Sequence, residues 1–143
     1  MSNAASFCNS VVASLEKHLD TSTMMAVLGE CGRACARDSG VVENIRSLNR
    51  CASTVDELYD TLHGTLGDLV VFEDDQLLFV YPQCFCKLIE DRLQTTPHSH
   101  CFCSVGWVKE VCEAAIESPV VVELIESVIR GGSKCKFRVH LGG

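Results

Sequence analysis

Four of the ten cysteines fall in one stretch, Tyr81 to Cys103, as two copies of Cys-Phe-Cys. The copies are Cys84-Phe85-Cys86 and Cys101-Phe102-Cys103, with His98 and His100 just ahead of the second. Thiolates at i and i+2 lie on one side of an extended or turning backbone, so each pair can converge on one soft ion. Two such pairs would give a four-thiolate set suited to Zn²⁺, with imidazoles as replacements. The spacing is not the C-x2-C of a zinc ribbon. Two other uses compete with metal: small, buried core thiols, and redox or nucleophilic work. The expected ligands are therefore Cys84, Cys86, Cys101 and Cys103, with His98, His100, Cys31 and Cys35 as a second tier. No catalytic set is assigned.

The elements that must position these residues can be read in chain order. Residues 5 to 37 predict two helices. Val11, Val12, Leu15 and Leu19 repeat at helical spacing, and Asp20-Thr21-Ser22-Thr23 interrupts and supplies an N-cap. Met24, Met25, Val27 and Leu28 begin a second apolar stripe. Cys31 and Cys35 are four apart and share a helical face. They are within reach of one ion, but we read them as continuing the stripe into the core. Arg33 and Arg37 would lower a thiol pKa if near in space. Val41 to Leu48 predicts a short helix with Val42, Ile45 and Leu48 inward. Ser53 to Glu57 predicts the start of another helix, with Leu58, Leu62 and Tyr59 inward and Gly64 and Gly67 at its end.

Period two then takes over. Leu69–Phe72 and Leu77–Tyr81 flank Glu73-Asp74-Asp75-Gln76, a hairpin pattern. The cysteine-rich stretch follows, with some regular structure expected around Lys87 to Leu93. Ser104 is read as the cap of a helix running to about Glu117, its core stripe Val105, Val108, Cys112 and Ala115, its wet side Lys109, Glu110, Glu113 and Glu117. Residues 118 to 130 read locally as a capped helix or as a strand. Cys135, Phe137, Val139 and Leu141 alternate with basic residues, a half-buried strand. Gly131-Gly132-Ser133 before it is turn chemistry, and a hairpin needs a preceding strand, so 120–129 is assigned as strand.

Composition bounds the function. A length of 143 residues suits a single domain spanning 1–143, with a helical part over about 5–66 and a sheet part over about 68–141. Apolar residues make up 47 % and charged residues 22 %, which predicts a globular chain. A net charge of −7 argues against nucleic acid and anionic membrane as main partners. No apolar run reaches a membrane span. The start, MSNAASFCNS, lacks a signal-peptide pattern, so the expectation is a cytoplasmic, reducing setting where thiols stay reduced.

The C-terminal third resembles the 4-vinyl-reductase-type small-molecule-binding domain family. The carrying residues are Cys103-Ser104-Val105-Gly106-Trp107, then Pro119-Val120-Val121-Val122-Glu123-Leu124-Ile125-Glu126-Ser127, then Gly131-Gly132-Ser133-Lys134-Cys135-Lys136-Phe137. The resemblance covers about residues 68 to 141. It implies the α+β fold shared with haem-nitric-oxide-binding domains and Golgi transport-particle subunits: N-terminal helices packed on a small antiparallel sheet, with strands near 69–73, 77–81, 120–129 and 134–141 and a helix near 104–117. It implies ligand sensors or carriers, some with metal at clustered Cys and His, a role that Cys84, Cys86, Cys101, Cys103 and Cys135 would inherit. The chain also looks similar, in size, in its early helices and in a late Cys-containing strand, to a bacterial hydrolase family acting on 2-aminothiazoline carboxylate.

Three readings follow. The first is a binding module holding a small apolar or metal-linked ligand, with Zn²⁺ at the paired Cys-x-Cys. The second is a thiol- or metal-dependent hydrolase of a small sulfur/nitrogen carboxylate. There Cys101 or Cys103 would act beside His98 or His100, and Arg130, Lys134, Lys136 or Arg138 would hold the carboxylate. The bland alternative is that those basic groups are a solvated strand face and the histidines idle in an exposed loop. The third is an interaction subunit that forms a homodimer through its two N-terminal helices.

Overall fold

Five helices and four antiparallel strands are built from the described residues, 3–82 and 96–142, of a computed structural model. In order they are α1 (Asn3–His18), α2 (Thr21–Asp38), α3 (Val41–Arg46), α4 (Val55–Leu66), β1 (Val70–Glu73), β2 (Gln76–Tyr81), α5 (Phe102–Ile116), β3 (Val120–Glu126) and β4 (Cys135–Leu141). The architecture is α+β, as the sequence predicts. The structure expected around Lys87 to Leu93 lies outside the described residues.

Local chemistry sets most element ends. Asp20 Oδ1 accepts the Thr23 amide at 2.7 Å and starts α2, and these bonds hold the Asp20 carboxyl below its ordinary pKa. Thr54 Oγ1 accepts the Glu57 amide at 3.2 Å, and Glu57 Oε2 reaches back to the Ser53 amide at 2.8 Å. That reciprocal pair starts α4. Gly67, at φ +62°, closes α4, so Gly64 is inside the helix rather than at its end. Asp74 and Asp75 both take positive φ, the two-residue turn that matches the twist of the β1–β2 hairpin.

The strand order is β1-β2-β4-β3, with every neighbour antiparallel. Phe79 lies opposite Phe137 at the centre, and both are buried. The assignment of strand to residues 120–129 holds only to Glu126. Beyond it the chain closes on itself: the Gly132 and Arg130 amides both donate to Ser127 O, at 2.8 and 3.2 Å, and Gly131 takes φ +92°. The helix expected from Ser104 begins earlier, at Phe102. A 3₁₀ turn over His98–Cys101 runs directly into it, so no capping side chain is used and Ser104 sits in the first turn.

One core joins helices and sheet. Val108, Val111, Cys112 and Ala115 of α5 are buried, with Leu58 and Leu62 of α4, Ile45 of α3, Leu77 and Phe79 of β2, and Phe137 of β4. A smaller cluster, Val12, Met24 and Leu28, lies between α1 and α2.

The α2 stripe differs from the expectation. Met24, Leu28, Gly32 and Ala36 face inward, whereas Met25, Val27, Cys31 and Cys35 are exposed. A Cβ on Gly32 would collide with the Cys103 carbonyl, and one on Gly106 with that of Gly29. The α2 and α5 backbones therefore touch, the row of smallest residues becomes the inner face, and the thiols turn outward. Leu48, expected inside, is exposed. Glu110, expected in water, is half-buried. It pairs with Arg33 at 2.9 Å and Arg37 at 3.1 Å, and Glu113 pairs with Arg33 at 2.8 Å. Those arginines tie α2 to α5 and serve carboxylates rather than thiols.

Candidate functional site

The second Cys-Phe-Cys lies on helical backbone. Successive residues there are about 100° apart, so side chains at i and i+2 point to different sides. Cys101 is buried, its Sγ 2.8 Å from Ser127 Oγ with either atom able to donate. Cys103 is half-buried against the Val12, Met24 and Leu28 cluster. The convergence expected of this pair presumed an extended backbone, and the described backbone is helical. Cys84 and Cys86 lie outside the described residues, and so does the four-thiolate grouping as a whole. Among the described residues no group of three or more His, Cys, Asp or Glu side chains gathers as metal ligands would.

The two histidines have opposite settings. His98 is exposed as expected, but His100 is buried, with Nδ1 4.0 Å from Cys8 Sγ of α1. Burial lowers its pKa, so the imidazole is neutral near pH 7. The Ser99 amide donates to Glu16 Oε1 at 3.2 Å, which also fastens this turn to α1. At the β3–β4 corner the Val128 amide donates to Cys135 Sγ at 3.5 Å. Burial pushes the thiols of Cys135 and Cys112 up, so both stay protonated and unreactive.

Two of the basic residues named for holding a carboxylate, Arg130 and Arg138, are otherwise employed. The Arg130 guanidinium lies 5.5 Å from the Phe102 ring centre. Arg138 donates to Glu123 at 3.1 Å, with His140 Nε2 3.4 Å from the same oxygen. Cys31 and Cys35 sit together on the outer face of α2.

A further place escaped sequence reasoning. A cleft of about 530 Å³ opens where the α3–α4 connection meets the end of α5. Arg46, Asn49, Arg50 and Cys51 form one wall, and Glu113, Ala114 and Glu117 the other. Cys51 is exposed, and its Sγ donates to the Ile116 carbonyl at 3.4 Å. A hydrogen bond with the Glu117 carboxylate, and to a lesser degree desolvation, raises the thiol pKa. The next residue, Ala52, is buried in the main core and donates to the Ala115 carbonyl at 2.9 Å. The sulfur is thus one residue from the interior and beside a carboxylate that favours its protonated form. The only sequence signal was a thiol among Arg46, Arg50 and the Ser53–Thr54 cap, and nothing local to it specifies a cleft.

A model of a family of unknown function matches residues 1–142. No curated protein sequence matches the chain. A solved structure does: trafficking protein particle complex subunit 3 from Naegleria fowleri, covalently bound to palmitic acid. The two share 14 % identity and a TM-score of 0.59 over 98 % of this chain and 93 % of that one. The likeness establishes the transport-particle-subunit fold that the sequence implied.

Proposed function

The chain belongs to the DUF6144 family, and from its fold and cleft we propose a small-molecule-binding module of carrier type that holds a long-chain acyl group as a thioester on Cys51. The observation that carries this reading is an exposed thiol in a cleft, one residue from the main core. Support comes from the similar transport-particle subunit, which holds palmitic acid covalently. A fatty acyl chain belongs in apolar surroundings; the walls of the cleft are polar, and the main core begins at the next residue, Ala52. Cys51 is both accessible and cleft-lining.

Loading requires an activated donor, and an acyl thioester is the simplest class. The Cys51 thiol gives its proton to solvent, and the thiolate attacks the donor carbonyl. The new sulfur–acyl bond forms, the donor's carbon–sulfur bond breaks, and the departing thiolate takes a proton from solvent. Arg46 and Arg50, on the same wall as Cys51, favour a donor with anionic groups.

Intact mass spectrometry of the full chain after incubation with palmitoyl thioester tests this. One acyl adduct is expected, removed by hydroxylamine and absent from Cys51→Ser. No adduct, or an adduct that survives Cys51→Ser, would overturn it.

A second reading, zinc at Cys84, Cys86 and Cys101 without Cys103, whose side chain packs on the α1–α2 cluster, is favoured by one observation. Tyr81, where β2 ends, pairs with Cys135, and Cys135 touches the same β3–β4 corner that holds Cys101. The end of β2, a few residues ahead of Cys84 in the chain, is therefore close to Cys101. Elemental analysis of the same preparation, without chelator, decides it. Bound zinc that is lost in Cys84→Ser supports the reading, and a metal-free protein rejects it.

A further inference from the structure

Cysteine is among the residue types most often buried, yet Cys31 and Cys35 lie exposed on one face of α2. They do not stand alone there. Val27, Cys31 and Cys35 run along the helix at i, i+4 and i+8, and Val27 is exposed. On α1, Phe7 and Val11 form a second exposed i, i+4 stripe, Phe7 to 72 %. Four of the eight exposed large apolar side chains among the described residues (Phe7, Val11, Met25 and Val27) belong to these two helices.

Two thiols four apart on a helix are separated by about 5–6 Å at Cβ. They can bind one ion together, but they fill only half of the tetrahedral shell that structural zinc requires. The described residues bring no further His, Cys, Asp or Glu to them. A second copy of the same face supplies two more thiolates about a two-fold axis. Such an isologous contact closes on itself and leaves no ligand unmatched. The apolar stripes on α1 and α2 would be covered in the same step.

We propose that Cys31 and Cys35 are half of a zinc site completed by a second copy of this chain, joining two copies through the outer faces of α1 and α2. Each thiol gives up its proton to solvent as it binds. No redox change is involved. The site is separate from Cys51 and its cleft, so either proposal can fail alone.

The test uses the full chain kept under a non-thiol reductant, stripped with chelator and then titrated with Zn²⁺. Sedimentation velocity is expected to show conversion from monomer to dimer. A Cys31→Ser/Cys35→Ser variant is expected to remain monomeric and to bind about one zinc fewer per two chains than the unaltered protein. Co²⁺ in place of Zn²⁺ is expected to give a thiolate-to-cobalt charge-transfer band that the variant lacks. Both positions are exposed, so the variant should fold, and unchanged far-ultraviolet circular dichroism checks that it does. Val27→Glu, which leaves the thiols in place, is expected to weaken the dimer at least tenfold. A monomer at every zinc concentration, a dimer that persists in the double variant, or one zinc held by each monomer at Cys31 and Cys35 would overturn the proposal. So would a dimer that the reductant abolishes, since that would be a disulfide.

Discussion

Each cysteine here is defined less by its sequence neighbours than by what surrounds its sulfur. Cys112 and Cys135 are core thiols, pushed up by burial, whereas Cys31, Cys35 and Cys51 face solvent. Thiolate is the reactive form, so alkylation near neutral pH should mark the exposed three and spare Cys112 and Cys135. Cys51 carries an added feature, because the Glu117 carboxylate stabilises its protonated form. The sign is definite: removing that charge lowers the thiol pKa and raises the thiolate fraction at any pH below it. Glu117→Gln should therefore speed iodoacetamide labelling of Cys51 at pH 7 by a few-fold and shift its rate–pH profile to lower pH. The labelling rates of Cys31 and Cys35 should not change. An unaltered Cys51 profile would show that the carboxylate does not govern this thiol. The thiol itself is visible in the sequence. Its partner, sixty-odd residues away, is not.

At the level of elements, the crossing of α2 and α5 decides which residues are buried. Gly32 faces the Cys103 carbonyl and Gly106 faces Gly29, so two helices approach at backbone distance. Ala at either position must push the helices apart or distort one of them. Gly32→Ala and Gly106→Ala should each destabilise by about 1–3 kcal/mol, toward the upper end because backbone rather than a flexible side chain is struck. Gly64 offers the contrast, since it lies within α4 with open space around its missing Cβ. Gly64→Ala should stabilise by about 0.5–1 kcal/mol, because alanine gives up less backbone freedom on folding. Urea midpoints of the three variants against the parent measure both effects, and equal shifts would contradict the crossing. Periodicity located α2 and α5 in the sequence. It could not choose the inner row of α2, because a stripe of Met, Val and Cys is more apolar than one containing Gly32 and Ala36.

Over the whole molecule, helices and sheet share one continuous core in which Leu58, Leu62, Phe79, Val108 and Phe137 are all fully buried. No described residue range has an interior of its own beyond the small Val12–Met24–Leu28 cluster. The chain should therefore unfold as one cooperative unit, with Trp107 fluorescence and far-ultraviolet circular dichroism giving coincident urea transitions. Two separated transitions would divide the helical part from the sheet part and defeat the single-domain reading. Among the described residues no helix is long and apolar enough to cross a membrane, so a bound acyl chain would be carried within the fold or laid on a bilayer surface rather than anchored by a spanning helix from among them.

The sequence by itself determined the elements and their kind. Alternation over Cys135–Leu141 specified a strand, the Thr54–Glu57 pattern a helix start, and the hairpin was readable from Asp74-Asp75 between apolar runs. These signals are local, because capping, turn geometry and side-chain period act within a few residues. Only the tertiary structure decided where the thiols go. Cys101 meets Ser127, Cys31 and Cys35 turn to solvent, and Cys51 lands in a cleft beside Glu117. The reason is physical: a sulfur's environment is set by which faces pack together, and for Cys31 and Cys35 that follows from two glycine contacts between segments more than seventy residues apart.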